Sequence, residues 1–219
     1  MQSLIAPKSL IEQTYEIVLD AILNGTLKPG EKLTQEDIAA RLNVSRQPVT
    51  HALAILKSQG FLAPSGKRGL TVTAIGPEYI TAIYQFRSVV EPLAVELATA
   101  RMTEEAALKG RGLIERGKRV AAFSDEAAAL EADIDWHTYI YELSGNPIIK
   151  ETMALHWRNL RRGMSQVLRR PGASVPVWAE HEAIFDKMAD GKAAEASELM
   201  RRHLTDAYRR LEETGQQPS

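Results

Sequence analysis

Apolar residues recur at helical spacing along most of the chain, and glycine, proline and serine interrupt them at intervals. Near the N-terminus, Ser9 and Glu12 have the spacing of a capping box, so we predict a helix that begins after Ser9 and ends at Asn24. Apolar residues that repeat every three or four positions give this helix a predicted buried face: Ile11, Tyr15, Val18, Leu19 and Ile22.

Two more short helices, joined by a tight corner, are predicted between residues 34 and 60. Thr34 suits the N-cap of the first helix, and Asn43 tolerates the left-handed conformation common at a helix end. Ser45 can cap the second helix, which Gly60 ends. The predicted buried side of the second helix contains Val49, Ala52, Leu53 and Leu56. Such a pair is typical of a helix-turn-helix, whose second helix enters the DNA major groove by its N-terminal end.

The charge of this region favours the same interpretation. No acidic residue occurs from Ile38 to Pro77. Residues 61–63 and 70–73 flank a basic, glycine-rich tip and predict a two-stranded hairpin, or wing, that touches the DNA backbone or minor groove. The cations of the region are Arg41, Arg46, Lys57, Lys67 and Arg68. They suit a polyanion, although scattered cations alone are equally typical of an ordinary solvated face.

Beyond the boundary at Gly76 and Pro77 we predict helices and no strand. The first of these helices is expected to kink or break near Pro92. The predicted spans are Glu78–Arg101, Glu104–Val120, Asp125–Leu143, Ile148–Arg169, Val177–Ala189 and Ala193–Glu213. The predicted fold class is therefore mostly α, with a winged helix-turn-helix in residues 1–75, a linker at 76–78 and an all-helical bundle in residues 79–219.

Composition and charge limit the possible partners and ligands of the chain in three ways. The net charge of −1 over 219 residues divides into +2 for residues 1–75 (8 basic, 6 acidic) and −3 for the rest (19 basic, 22 acidic), so the positive charge is local. The absence of cysteine excludes disulfides and thiolate metal ligands. Without an apolar run of about 20 residues or a secretion pattern, we predict a cytoplasmic protein with no membrane partner.

Four polar residues of the second half could hold a metal. Asp133 and His137 are four residues apart and so project from one face of a helix, while His181 and His203 lie on later predicted helices. If these helices converge, one carboxylate and three imidazoles can surround a divalent cation, a ligand set that suits Zn, Ni, Mn or Fe rather than Ca. Because an Asp/His pair at this spacing is often only a surface hydrogen bond, spacing alone leaves both interpretations open.

Residues 8–73 resemble the winged helix of GntR-type bacterial transcription regulators. The similarity lies in residues 29–33, 43–49, 52–53, 56, 60–62 and 68–72. It implies binding of a palindromic operator in double-stranded DNA by a homodimer. Many relatives carry arginine where this chain has Thr50, so their operators cannot be assumed here. The predicted DNA-binding residues are Arg41, Ser45, Arg46, Gln47, Thr50, His51, Lys67, Arg68 and Gly69.

Residues 79–212 resemble the FCD ligand-binding domain of the FadR-like branch, through residues 86–94, 133–137, 144–147, 180–184 and 200–204. In that family one Asp and three His hold a divalent metal, and they correspond to Asp133, His137, His181 and His203. The resemblance implies a bound Zn, Ni or Mn ion and a small organic acid as effector, or the metal itself as the signal. The acyl-CoA-binding relative lacks this tetrad, so we do not expect lipid sensing.

Two arginines are candidates for binding the carboxylate of such an effector. Arg87 could take this role, or form a structural ion pair with Glu91 one turn later. Arg161 shares a face with Arg158 and Arg162, a pattern that usually marks a solvated stripe.

We predict a regulator and not an enzyme, because no nucleophile motif or phosphate-binding loop accompanies the four metal candidates. The alternatives are a regulator that responds to metal without an organic effector, metal-dependent catalysis in the helical half, and an architectural DNA-binding protein with an inert helical half.

Overall fold

The computed structural model describes residues 8–66, 69–123, 126–167 and 175–215. Contacts divide the chain into two compact units, residues 1–75 and 76–219. The first contains α1 (Leu10–Leu23), β1 (Lys32–Leu33), α2 (Gln35–Leu42), α3 (Arg46–Ser58), β2 (Leu62–Ser65) and β3 (Gly69–Val72). The second contains α4 (Pro77–Thr99), α5 (Glu104–Ala122), α6 (Glu126–Ser144), α7 (Pro147–Val167), α8 (Val175–Ala189) and α9 (Ala193–Gly215). The predicted fold class is confirmed.

Local hydrogen bonds explain where the first helices begin and end. The capping box is confirmed, since Ser9 Oγ accepts from the Glu12 amide and the Glu12 carboxylate accepts from the Ser9 amide. Thr34 caps α2 by accepting from the Asp37 amide, and Asn43 ends it with a φ of 53°. Ser45 is the N-cap of α3 by position, but the predicted capping hydrogen bond is absent.

One of the two usual donors to such a cap is missing three residues after Ser45. An N-cap side chain accepts from the amide of the second or third helical residue. The third residue of α3 is Pro48, which has no N–H to donate. Ser45 is exposed and its side chain makes no capping hydrogen bond.

The core of the first unit forms where α1 packs against α3. The buried face predicted for α3 is confirmed in Val49, Ala52, Leu53 and Leu56. The buried face predicted for α1 is wrong in part, because Thr14 is buried, whereas Ile11 and Tyr15 are only partly buried. Tyr15 stays near the surface because its hydroxyl donates to Gln59 Oε1 over 2.7 Å.

The wing is a three-stranded antiparallel sheet in the order β1-β3-β2. Leu62 pairs with Val72 and Ser65 with Gly69, so the hairpin extends closer to its tip than predicted. At Gly69 a Cβ atom would lie 2.9 Å from the Ser65 carbonyl oxygen, which requires glycine there. Strand β1 was not predicted, because two residues are too few to show a periodic pattern.

In the second unit the described residues form helices and no strand. Helix α4 packs against α6 and α9, and α5 packs against α6 and α8. The core between them is largely aromatic and aliphatic. Side chains buried completely or nearly so include Trp136, Ile140, Met153, Leu160 and Phe185.

Helix α4 continues through Pro92 as a single helix rather than breaking there. A proline inside a helix leaves the carbonyl four residues earlier without its usual amide donor. That carbonyl belongs to Ser88, and Arg201 Nη1 of α9 donates to it over 3.2 Å. A side chain of the neighbouring helix thus replaces the hydrogen bond that proline removes.

Candidate metal centre and nucleic-acid interface

The N-terminal half of α3 presents a polar, exposed face. Arg46, Gln47, Thr50 and His51 are all exposed on it, while the opposite side of the helix is buried. The helix end is therefore free to enter a groove of DNA.

Two contacts connect this face to α2. Arg46 Nη1 lies 3.0 Å from Glu36 Oε1, and the Thr50 hydroxyl donates to Gln35 Oε1 over 3.0 Å. Both ends of the Arg46–Glu36 pair are exposed, so exchanging this partner for a phosphate or a base costs little.

The remaining predicted DNA-binding residues lie outside α3 in the sequence. Arg41 and Ser45 are exposed at the corner between α2 and α3, and Gly69 is partly buried at the start of β3. Lys67 and Arg68 lie outside the described residues.

In the second unit the predicted metal ligands come together. His137 of α6, His181 of α8 and His203 of α9 are buried and each offer a nitrogen within 4.8 Å of the others. The Nε2 atoms of His181 and His203 are 3.3 Å apart. Asp133, one turn before His137, places Oδ1 3.6 Å from His181 Nε2 and 4.0 Å from His137 Nε2. Its side chain is 15% exposed, so the carboxylate faces the open side of the cluster.

The chemistry of this cluster fits a divalent metal. Imidazole nitrogens lie about 2.0–2.1 Å from bound zinc, which separates two ligand nitrogens by roughly 3.0–3.4 Å. The 3.3 Å separation of the His181 and His203 Nε2 atoms falls in that range. Burial holds the pKa of His181 well below its usual value and also lowers the pKa of His203. Both rings are therefore neutral near pH 7 and keep a lone pair for a metal.

Two of the histidines each lie next to a glutamate that pairs with an arginine. His137 Nδ1 lies 2.7 Å from Glu91 Oε2, and Arg87 Nε pairs with the other oxygen of Glu91. Burial raises the pKa of Glu91, but Arg87 and His137 outweigh burial and leave the pKa well below the usual range. Glu91 is thus an anion in the middle of the bundle, stabilised by its two partners.

The second such group joins α8 to α9. His203 Nδ1 lies 2.7 Å from Glu180 Oε2, and Arg210 donates to both oxygens of Glu180 over 2.7 and 2.9 Å. Burial raises the pKa of Glu180, but His203 and Arg210 bring it down to about 2. Sequence reasoning found neither carboxylate as a partner of histidine. Glu91 was considered only for its four-residue spacing from Arg87.

The third histidine is held differently. His181 Nδ1 has no hydrogen-bond partner among the described residues and, unlike His137 Nδ1, no carboxylate at 2.7 Å; the His137 contact with Glu91 is itself close but lacks hydrogen-bond geometry. The His181 ring stacks on Trp136 at 3.9 Å and meets the Trp178 ring edge-on at 4.9 Å. Ring packing, rather than a carboxylate, fixes this side chain.

Protein-family profiles match almost the whole chain: the bacterial regulatory proteins of the gntR family over residues 10–72, and the FCD domain over residues 82–206. The chain belongs to the GntR family, with an FCD domain. Both resemblances predicted from sequence are confirmed, and this GntR protein is a DNA-binding transcriptional regulator rather than an enzyme.

Relatives and solved structures agree with this assignment. The GntR protein is 26% identical over 179 residues to the uncharacterized HTH-type transcriptional regulator YdhC of Bacillus subtilis, covering 80% of this chain and 79% of the other. It is 27% identical over 180 residues to the Nta operon transcriptional regulator of Aminobacter aminovorans, covering 81% and 82%. Its fold is similar to that of Escherichia coli McbR/YncC, with a TM-score of 0.78, 20% identity and coverage of 94% and 99%. No helix in the described part of the GntR protein is long and apolar enough to cross a membrane.

The two arginines predicted to bind an effector both have carboxylate partners in this GntR protein. Arg87 is 2% exposed, pairs with Glu91 and places its guanidinium carbon 4.5 Å from the centre of the Trp157 ring. Arg161 pairs with Glu131. An effector role for either residue stays a prediction.

The lack of a side chain at Gly117 of α5 leaves room for the Trp178 ring beside the histidine cluster. A Cβ atom there would lie 2.1 Å from the Trp178 ring, which packs against His181. We expect Gly117→Ala to destabilise the second unit by about 1–3 kcal/mol, because the ring must leave its position. Gly112→Ala on the same helix is the matched control, since its Cβ atom meets nothing within 4 Å. The control should gain about 0.5–1 kcal/mol in urea unfolding, and an equal loss in both variants would contradict the packing argument.

Proposed function

We propose that this transcriptional regulator senses a small carboxylate through a divalent metal, Zn, Ni or Mn, and changes its affinity for operator DNA in response. The observation that carries the proposal is the convergence of three buried imidazoles with Asp133 at their open side. Burying a polar group without a partner is costly, and a shared metal ion would give the three imidazole nitrogens that partner.

The charge around the cluster favours an anionic effector. Arg87 offsets Glu91 and Arg210 offsets Glu180, while burial keeps His181 neutral. A divalent ion together with Asp133 would therefore leave about one uncompensated positive charge, which one carboxylate can balance. A neutral or cationic compound would leave that charge unpaired in a largely buried site.

Each residue of the site has a distinct part in this proposal. His137, His181 and His203 would hold the metal from inside the bundle, and Asp133 would hold it from the side that solvent reaches. When bound, the metal supplies a Lewis-acidic centre with open positions for a carboxylate oxygen. The effector acts on DNA binding only if it has different affinities for the DNA-bound and free protein.

A regulator that responds to metal alone is the second candidate. The observation that favours it is that both arginines proposed for the effector already pair with carboxylates. A thermal-shift screen of small mono- and dicarboxylates, with Zn²⁺ and with chelator, separates the two. The proposal expects a carboxylate to raise the melting temperature only when Zn²⁺ is present. Stabilisation by Zn²⁺ and by none of the acids supports the metal-only regulator.

For DNA recognition we propose that the exposed face of α3 contacts the bases and that the wing contacts the backbone. Arg46→Ala should weaken operator binding by about 10- to 100-fold, since a guanidinium that reads guanine or clamps a phosphate contributes about 1–3 kcal/mol. Fluorescence anisotropy with a duplex selected by the wild-type protein from a random pool measures the change.

Lys57→Ala is the matched control for Arg46→Ala. Lys57 is an exposed cation at the other end of α3, away from the face that would enter the groove. Its replacement should change affinity by no more than about twofold. Equal effects of the two variants would mean that α3 provides only diffuse positive charge.

We also propose that the regulator acts as a homodimer, because two copies related by a two-fold axis present two α3 helices to the half-sites of a palindrome. Helix α4 carries a row of exposed apolar side chains that a second copy would cover, namely Phe86, Val89 and Leu93, of which Val89 is 71% exposed. Light scattering should give twice the mass of the chain.

A further inference from the structure

We infer that Glu180 and Arg210 are positioning residues of the metal centre: they hold His203 so that its Nε2 atom points into the histidine cluster. Glu91, which pairs with Arg87, lies 2.7 Å from His137 Nδ1 on α6. This inference rests on the proposed metal site. It extends the functional site from the four ligands to an Arg210–Glu180–His203 group, the Glu180 arm.

The contacts within the Glu180 arm define the orientation of the imidazole. His203 Nδ1 lies 2.7 Å from Glu180 Oε2, so the proton of the neutral ring is placed on Nδ1. The lone pair is then on Nε2, which lies 3.3 Å from His181 Nε2 at the cluster. A histidine free to rotate or to change tautomer would present this lone pair only part of the time.

Arg210 fixes the carboxylate itself. Its two terminal nitrogens donate to the two oxygens of Glu180 over 2.7 and 2.9 Å, which sets the plane of the carboxylate as well as its position. Arg210 follows His203 by two turns of α9, whereas Glu180 belongs to α8. The arm therefore ties the ligand on α9 to the helix that carries His181.

The same contacts could serve only to hold α8 against α9. The two roles differ in what they change: a simple interhelical ion pair affects the stability of the metal-free protein, whereas a positioning arm affects the affinity for metal. Glu180 and Arg210 are partly exposed, with side-chain exposures of 28% and 35%, so variants at these positions should fold.

The test compares Zn²⁺ affinity in the full-length wild type, Glu180→Gln and Arg210→Met, measured by competition with a chromogenic chelator. Arg209→Met is the matched control, because Arg209 is exposed on the same helix and pairs with Asp206, one turn away, rather than with Glu180. We expect Glu180→Gln and Arg210→Met to bind Zn²⁺ about 10- to 100-fold more weakly, and Arg209→Met to match the wild type. The absorption spectrum of bound Co²⁺ should change in the first two variants and not in the control.

The results distinguish a failure of the positioning role from a failure of the metal site. If the wild type binds Zn²⁺ tightly and both arm variants bind it equally tightly, the positioning role is wrong while the metal site stands. If the wild type itself shows no saturable Zn²⁺ binding, the proposed metal site fails and this inference fails with it. Weaker binding that accompanies an equal loss in Arg209→Met would also overturn the inference, because the effect would then be general to the charge of α9.

Discussion

Replacing Glu91 by glutamine is expected to lower the free energy of unfolding of the second unit by about 3–5 kcal/mol, the cost of leaving a buried charge without its partner. Arg87 is 2% exposed and depends on Glu91 for an anionic partner inside the bundle. Urea unfolding in the presence of chelator measures the loss. All three tryptophans lie in residues 76–219, so tryptophan fluorescence reports this unit specifically.

The double variant Arg87→Met, Glu91→Gln is the control for this prediction. It removes both charges, so the unpaired guanidinium no longer exists and most of the loss should be recovered. A double variant no more stable than Glu91→Gln alone would show that the pair contributes through packing rather than through charge. Protein concentration must be held constant, since dimerisation would add to the measured stability.

His181→Ala is expected to lower the affinity for Zn²⁺ by roughly 100-fold or more and to abolish the response of operator binding to small carboxylates. The variant should still bind operator DNA, because His181 belongs to the second compact unit and the proposed reading face belongs to the first. Metal content after dialysis and anisotropy titrations with and without the acid measure the two effects.

His156→Ala is the histidine control for His181→Ala. His156 is in the same unit but interacts with the Tyr79 hydroxyl, 2.9 Å from its Nδ1 atom, rather than with the cluster. It should keep both metal and effector response. If His181→Ala responded to the acid as the wild type does, the histidine cluster would not be the sensor.

Local signals in the sequence were sufficient for the first unit. A capping box at Ser9, an N-cap at Thr34 and a left-handed Asn43 depend on residues within a few positions of each other, and all are present in the structure. At Ser45 the sequence shows that Pro48 removes one of the two amides that could donate to the cap, and the structure shows that the other is not used. Strand β1 depends on pairing with β3, about forty residues later, and no local pattern indicates it.

Only part of the site in the second unit could be predicted from the sequence. Residue types and family resemblance indicated Asp133 and the three histidines, and the structure brings the histidines together. The carboxylates behind them depend on tertiary packing: Glu91 meets His137 through the packing of α4 on α6, and Glu180 meets His203 through the packing of α8 on α9. Helical periodicity gives the face on which a side chain lies but not the helix it meets.

Calorimetric titration of Zn²⁺ into chelator-treated protein shows whether the histidine cluster is a metal site. The histidine cluster with Asp133 predicts saturation at one ion per chain. Binding should weaken in acid as the pH falls through the lowered pKa values of His181 and His203, because protons then compete for the imidazole lone pairs. Heat changes that do not saturate, or one-to-one binding that persists unchanged in His181→Ala, would contradict the account.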